Sequence, residues 1–217
     1  MPQNTSFNRI LEHVLNEYSS VPVVQSKIKS YFAKNEAARK YLEVCEEEGW
    51  ELRFDHLTVR TYVVEEAAKQ YEGMGWRFSE RVDYKNEGWW ANVYRHSRLA
   101  PCFIDQSYDD AKDPIIKKWV DKFSDADFHH IAVSLPGGVE IEYAIEKLQS
   151  KGIKFPGKIT GTQGSRLRQI FTQSESVNGI PFSVLELAQR GIDTETGKFY
   201  EGFITEQADS LMKDSVL

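Results

Sequence analysis

Two histidines and one glutamate stand where their side chains can bind a metal. His56 and His130 lie near the start of two similar runs of alternating residues, and Glu186 lies inside an apolar run. A carboxylate buried without a cation costs on the order of several kcal/mol, so Glu186 needs a positive partner. Two imidazoles and one carboxylate form the facial triad that suits Fe(II) and dioxygen chemistry, because open positions remain for substrate and O₂. The sequence therefore predicts a divalent metal site at these three residues.

Each of these residues also has a structural interpretation. A histidine beside an apolar strand is often a hydrogen-bonded core residue. The carboxylate of Glu186 could instead form an ion pair, and the available partners are Arg60, Arg168 and Arg190. The presence of two histidines at corresponding positions of a repeat favours the metal interpretation for both. His129, in contrast, is predicted to be structural.

An internal repeat supplies the elements that would position these side chains. Its corresponding parts are the strands 54–59 and 128–133, the helices 64–74 and 139–151, and the proline-led strands 101–104 and 181–184. A strand, a helix and three further strands, occurring twice, predict a duplicated βαβββ module. The predicted fold class is therefore α+β, and the repeat resembles the architecture of vicinal oxygen chelate (glyoxalase-like) proteins. Its two modules are predicted to form a curved, half-barrel-like mixed sheet around the metal site.

Residue parity decides which side chains share a face of a strand, because successive side chains point to opposite sides. Arg60 shares the face of His56, while His129 is predicted on the face opposite to His130. Ala132 shares the face of His130, and its small side chain leaves room for a ligand. The predicted site therefore lies on one face of the sheet, and the apolar residues of the other face pack under the helices.

The predicted domain organisation has two parts. Residues 1–50 contain apolar positions at helical spacing and form an N-terminal helical cap, whereas residues 51–217 form the metal-binding core. The parts of the core are, in order, a module at 51–107, a connecting helix at 109–123, a module at 127–190 and a tail at 191–217 that closes with a short helix from residue 202.

Composition narrows the classes of function. The formal net charge of −6 argues against a nucleic-acid-binding protein, because phosphate contacts need a basic face. No run approaches the roughly eighteen apolar residues of a membrane span, and the amino terminus lacks the basic start and apolar core of a signal peptide. The two cysteines form no CxxC pair. We expect a soluble, cytoplasmic protein with a small-molecule partner.

Pseudo-symmetry of the repeat predicts where a fourth metal ligand would lie. Glu186 lies five residues after Pro181, and the same count after Pro101 reaches Gln106. A carboxylate there would favour a four-ligand site like those of glyoxalase-type isomerases, whereas a neutral amide is a weaker ligand for a hard cation. An open three-ligand site is therefore preferred, and Gln106 is retained as a possible fourth ligand.

Most of the chain resembles the 2-oxoadipate dioxygenase/decarboxylase family of the vicinal oxygen chelate superfamily, whose members are also called hydroxyglutarate synthases. The segments that carry the resemblance are FDHLTVRT at 54–61, HIAVS at 130–134, LELAQR at 185–190 and GKFYEGF at 197–203. Family members with assigned activity are considerably longer. The strand end that often reads Ile-Ser-Glu in relatives reads Ile104-Asp105-Gln106 here. We therefore expect a short form of the family.

The resemblance implies an Fe(II)-dependent oxygenase that consumes O₂ and decarboxylates a small 2-oxo acid such as 2-oxoadipate. It implies that Arg60 holds a substrate carboxylate, through the bidentate grip of a guanidinium, and that Gln173 and Ser174 form part of the substrate cavity. Two alternatives stay open. One is a metal-dependent glyoxalase-type isomerase or lyase using Zn, Ni or Mn, and the other is a non-catalytic protein that binds a small ligand on the same scaffold.

Overall fold

Three helices open the chain in a computed structural model that describes residues 5–200 and Gly202. They are α1 (Thr5–Glu17), α2 (Pro22–Lys34) and α3 (Glu36–Glu48). Proline is favourable at the first residue of α2, where no backbone N–H is needed. Asn35 caps α3, because its side chain accepts a hydrogen bond from the Ala38 N–H at 2.8 Å. Gly49 ends α3 at φ +67°, a conformation that suits glycine.

The two predicted βαβββ modules are present. The first comprises β1 (Phe54–Arg60), α4 (Val64–Gly73), β2 (Arg77–Tyr84), β3 (Trp89–Arg95) and β4 (Cys102–Ser107). The second comprises β5 (Asp127–Ser134), α6 (Ile141–Ser150), β6 (Leu167–Phe171), β7 (Glu175–Val177) and β8 (Ile180–Arg190). The repeat of element order predicted from the sequence is therefore confirmed.

The helix between the modules is shorter than predicted. It forms α5 (Ile115–Lys122), whereas the sequence pattern placed its start at residue 109. Pro114 explains the difference, because the residue before a proline is disfavoured in helical conformation. The predicted closing helix at 202–217 lies outside the described residues, apart from Gly202.

The strands form one mixed sheet in the order β2-β3-β4-β1-β5-β8-β6, with β7 paired to β8. Strands β1 and β4 run parallel, and Arg60 lies opposite Asp105. Strands β6 and β8 run antiparallel, and Phe171 lies opposite Glu186. These registers fix which side chains share a face with the predicted ligands.

Contacts divide the chain into two compact units, Met1–Phe54 with Ala132–Leu217, and Asp55–Ile131. In the first unit, α3 contacts α1, α2, α6 and β8. In the second unit, β2, β3 and β4 pair in turn, and α4 and α5 contact β4. The predicted division into a cap at 1–50 and a core at 51–217 stays a prediction.

Strand β8, which carries Glu186, is tied to the helices of its own unit. The Tyr31 hydroxyl of α2 donates to the Val184 carbonyl, and the Asn35 side-chain amide donates to the Ser183 hydroxyl at 3.0 Å. Leu185 and Leu187 are fully buried. Among the described helices, none has both the length and the apolar character that crossing a membrane requires.

Candidate metal centre

The three ligands predicted from the sequence lie together. His56, His130 and Glu186 each offer one ligand atom, and these atoms all lie within 4.8 Å of one another. The exposed fractions of the three residues are 5%, 5% and 2%, respectively. The two imidazole rings are 5.5 Å apart between centroids and nearly perpendicular, at 82°. Two imidazoles and a carboxylate in a buried cluster form a donor set that suits a divalent transition metal.

His56 lies in β1 and is oriented by the residue before it. Its Nδ1 lies 2.9 Å from Oδ1 of Asp55, whose side chain is only 4% exposed. The ring of Phe103 lies 5.1 Å from the His56 ring between centroids. A carboxylate at Nδ1 leaves Nε2 as the nitrogen that would bind a metal.

His130 lies in β5 and contacts a neighbour through each of its ring nitrogens. Its Nδ1 lies 3.0 Å from Nδ1 of His129, and its Nε2 lies 2.9 Å from the Thr58 hydroxyl oxygen. Burial holds the pKa of His129 well below its usual value, and the Arg60 charge lowers it further, so His129 is neutral. His129 also packs edge-on against Trp119 at 5.9 Å.

Arg60 and Asp105 are two buried titratable residues beside the histidines. They lie opposite each other in the β1–β4 register, and both are 2% exposed. Burial lowers the pKa of Arg60 to about 9, although Asp105 opposes this shift. Burial also raises the pKa of Asp105 to about 7, against the attraction of Arg60 and His56. The Arg60 guanidinium lies 5.6 Å from the Trp119 ring centroid.

Two of the alternative ion-pair partners of Glu186 are engaged elsewhere. Arg168 donates to the carboxylates of Glu140 and Glu142, and Arg190 donates to the carbonyl of Gly202. Arg168 also has the register position opposite Gln189, on the face of β8 that does not carry Glu186. Arg168 therefore does not compete for the Glu186 carboxylate.

The polar residues predicted for the cavity wall lie just beyond the end of β6. Gln173 is exposed, and the Ser174 hydroxyl donates to the carbonyls of Glu175 and Ser183. Gln169, in contrast, is 4% exposed, and it shares the face of Glu186 because it lies opposite Ala188. Gln169 was not predicted from the sequence, although its spacing of two residues from Phe171 places both on one face.

The Gln106 side chain supports a helix end. Its Oε1 accepts a hydrogen bond from the Val64 N–H at 2.8 Å. Val64 begins α4, whose capping residue supplies no side-chain hydrogen bond of its own. Gln106 therefore satisfies a backbone donor that the first turn of a helix leaves without an intrahelical partner.

Backbone hydrogen bonds identify a counterpart of Glu186 in the first module that differs from Gln106, the residue obtained by counting from the prolines. The Thr61 N–H donates to the Asp105 carbonyl at 3.0 Å, and the Leu135 N–H donates to the Ala188 carbonyl at 2.9 Å. Thr61 and Leu135 each lie five residues after a candidate ligand histidine, so Asp105 corresponds to Ala188.

Phe103 lies two residues before Asp105, and Glu186 lies two residues before Ala188, so Phe103 corresponds to Glu186. The count from Pro101 and Pro181 was wrong because Pro181 lies within β8, whereas Pro101 precedes β4. The position that pairs with the carboxylate holds a phenyl ring, which cannot bind a cation as a ligand. This arrangement favours a three-ligand centre.

No family model matches the chain, and no curated protein matches it in sequence. Solved structures do match its fold. Hydroxyglutarate synthase from Oryza sativa, in complex with 2-oxoadipate, has a TM-score of 0.73 at 16% identity, covering 96% of this chain and 93% of that chain. A glyoxalase superfamily protein from Ralstonia eutropha JMP134 has a TM-score of 0.67 at 12% identity, covering 85% of each chain. The fold is of the glyoxalase-like, vicinal oxygen chelate type.

A third structure extends the same likeness. It is a mutant of 4-hydroxymandelate synthase from Streptomyces coelicolor, with a TM-score of 0.60 at 15% identity over 76% of this chain and 53% of that chain. The predicted fold class is confirmed as a mixed α+β fold with N-terminal helices, a curled, half-barrel-like sheet and a buried His-His-Glu candidate metal site. The expectation of much longer relatives does not hold for the Oryza sativa structure, since 93% of that chain is covered.

Proposed function

We propose that this protein is an Fe(II)-dependent oxygenase that decarboxylates a small 2-oxo acid. The observation that carries the proposal is the buried cluster of His56, His130 and Glu186, whose ligand atoms lie within 4.8 Å of one another. A triad of this composition leaves coordination positions for a chelating substrate and for O₂. When bound, Fe(II) supplies a Lewis acid and the electrons for dioxygen chemistry.

Phe103 supports the choice of an open centre over a closed, four-ligand one. Its ring stands at the position that corresponds to Glu186 and packs 5.1 Å from the His56 ring. An apolar side chain beside the ligands also keeps water away from the reacting groups, which strengthens electrostatic interactions there.

Arg60 is proposed to bind a carboxylate of the substrate. It follows His56 by four residues on the same strand, which places it on the same face, and its guanidinium fork matches a carboxylate. Asp105 lies opposite Arg60 in the register of β1 and β4, and its ionised form attracts the guanidinium charge. A substrate carboxylate would then compete with Asp105 for the guanidinium.

The class of substrate is supported by the fold comparison. Hydroxyglutarate synthase from Oryza sativa was crystallised with 2-oxoadipate, a 2-oxo acid that carries a second carboxylate. A 2-oxo acid offers two oxygens to the proposed iron and, when it is a diacid, a further carboxylate to Arg60. We propose this class of substrate for the present chain.

The test is anaerobic purification, reconstitution with Fe(II) and an oxygen-electrode assay over a panel of 2-oxo acids that includes 2-oxoadipate. We expect oxygen uptake coupled to CO₂ release, and we expect both to be lost in His56→Ala. The matched control is His13→Ala, which removes an exposed histidine from α1. Anaerobic turnover would instead indicate an isomerase or lyase, and tight binding of an acid without turnover would indicate a ligand-binding protein.

A further inference from the structure

Each candidate ligand histidine is contacted at the same ring nitrogen by the residue that precedes it. Asp55 Oδ1 lies 2.9 Å from Nδ1 of His56, and His129 Nδ1 lies 3.0 Å from Nδ1 of His130. The two pairs occupy corresponding positions of the repeat. Adjacent residues of a strand normally point to opposite faces, so the same contact in both modules is a specific feature of the fold.

We propose that Asp55 and His129 are positioning residues that direct Nε2 of the following histidine toward the metal. The inference deepens the proposed function and rests on its metal centre. It assigns roles to two side chains that do not themselves bind the cation.

The proton on each ring follows from its partner. An Asp55 carboxylate only accepts, so Nδ1 of His56 must carry the proton and Nε2 must hold the lone pair. Between His129 and His130, one Nδ1 must donate and the other must accept. A lone pair on Nε2 of His130 requires its Nδ1 to donate, and His129 must then carry its own proton on Nε2.

Thr58 is consistent with this assignment. Its hydroxyl lies 2.9 Å from Nε2 of His130, and a hydroxyl is able to donate to a nitrogen that carries a lone pair. The same nitrogen would face the metal once Thr58 releases it.

The two positioning residues differ in charge, and their effects should differ accordingly. A carboxylate behind a ligand imidazole makes that imidazole more basic, whereas a neutral imidazole only orients it. Asp55 is 4% exposed at its side chain and His129 is 2% exposed overall, so little water competes for either contact. Loss of Asp55 should therefore weaken metal binding more than loss of His129.

The first measurement is the affinity of the full chain for Co²⁺, by competition titration against a chelator. We expect Asp55→Ala to bind about 100-fold more weakly and Asp55→Asn about 10-fold more weakly, because Asn keeps an acceptor without the charge. We expect His129→Leu to bind about 10-fold more weakly, with partial recovery in His129→Asn. The matched control is Asp121→Asn, which removes an exposed carboxylate from α5 of the same unit. Unchanged affinity in Asp55→Ala would overturn the inference.

The second measurement uses the metal-free wild-type protein. Nitrogen-15 chemical shifts of the imidazole rings report which nitrogen carries the proton. We expect the proton on Nδ1 in both His56 and His130, and we expect Asp55→Asn to shift His56 toward a mixture of tautomers. A merely structural role for Asp55 would lower thermal stability without changing the tautomer. A proton on Nε2 of His56 in the wild type would contradict the assignment.

Glu186→Ala distinguishes a failure of the metal centre from a failure of the positioning roles of Asp55 and His129. If this variant binds Co²⁺ as tightly as the wild type, the metal centre of the proposed function is wrong. If it loses Co²⁺ while Asp55→Ala retains the wild-type affinity, the metal centre stands and the positioning roles are wrong. The tautomers of the wild type are tested in either case.

Discussion

The two modules share one order of elements but differ in the chemistry of their corresponding positions. Each contributes a histidine from its first strand, His56 from β1 and His130 from β5. Only the second module has a carboxylate at the candidate ligand position of its last strand, because Phe103 occupies the position of β4 that corresponds to Glu186. A repeated scaffold thus offers four positions around the centre, and three of them carry ligand-forming side chains.

A second difference lies beside the ligands. The first module buries Arg60 opposite Asp105, whereas the corresponding positions of the second module hold Ser134 and Ala188. At these two positions, therefore, the first module carries titratable side chains and the second carries small, neutral ones. Under the proposed function, Arg60 of the first module would bind an anionic substrate and Glu186 of the second would supply the ligand charge.

Removing the single ligand carboxylate should have the largest effect. We expect Glu186→Ala to weaken Co²⁺ binding by more than about 100-fold, since the remaining imidazoles are neutral and supply no charge to balance the cation. The metal-free variant should be as stable as the wild type or more so, because a buried carboxylate has been removed. Metal titration and thermal unfolding measure the two effects.

The control for this substitution is Glu146→Ala, which removes an exposed glutamate from α6 of the same module. It should leave both quantities unchanged. Retention of Co²⁺ by Glu186→Ala would show that the carboxylate is not a ligand and that the two modules do not differ in the way described above.

Placing a carboxylate in the first module at the position that corresponds to Glu186 should have the next largest effect. Phe103→Glu places a second carboxylate at the corresponding position, and without metal its burial should cost about 3–5 kcal/mol of unfolding free energy. Added Zn²⁺ or Ni²⁺ should restore much of this stability, because binding to the folded state alone raises it. Chemical denaturation with and without metal measures the difference.

Phe103→Leu is the matched control for that experiment. It also removes the aromatic ring, but it should show no larger gain of stability from metal than the wild type. An equal metal-linked gain in Phe103→Glu and Phe103→Leu would mean that residue 103 does not face the centre.

Local pattern was sufficient to predict the repeat and the cluster of three candidate ligands, but not their surroundings. His56, His130 and Glu186 could be found because alternation within a single strand places each on a face. Gln169 was missed, and Gln106 was chosen as the counterpart of Glu186, because both questions depend on register between strands. Register is set by pairing and strand length, and a proline count cannot give it when Pro181 lies inside β8 and Pro101 outside β4.

The buried charges of the first module should make its stability depend on pH. Burial raises the pKa of Asp105 from 3.8 to about 7, so between about pH 4 and pH 7 the folded state holds a proton that the unfolded state releases. The contribution of Asp105 to the unfolding free energy of the metal-free protein should therefore fall as the pH rises through this range. The slope from this group is at most about 1.4 kcal/mol per pH unit.

Asp105→Asn isolates that contribution, because an amide has no proton to release. The difference between the unfolding free energy of Asp105→Asn and that of the wild type should therefore increase, in favour of the variant's folded state, as the pH rises from about 4 to about 7. Arg60 stays protonated throughout, since its pKa is about 9. Urea denaturation of both proteins at several pH values measures the difference, and parallel pH curves would argue against a raised pKa for Asp105.

The smallest expected effect concerns Gln106, which lies five residues after Pro101, as Glu186 lies five residues after Pro181. Its Oε1 accepts from the Val64 N–H at 2.8 Å, so Gln106→Leu should lose about 1 kcal/mol of unfolding free energy at the start of α4. Co²⁺ affinity should stay within about two-fold of the wild type, because the backbone hydrogen bonds make Phe103, not Gln106, the counterpart of Glu186 in the repeat.

Gln106→Glu makes the test decisive. A carboxylate keeps the hydrogen bond to Val64 and lies favourably at a helix N-terminus, so this variant should retain or slightly raise the stability of the protein. A fourth ligand would respond differently, since the glutamate should then tighten Zn²⁺ binding and the leucine should weaken it. Co²⁺ and Zn²⁺ titrations of the two variants side by side therefore decide whether residue 106 belongs to the helix end or to the metal centre.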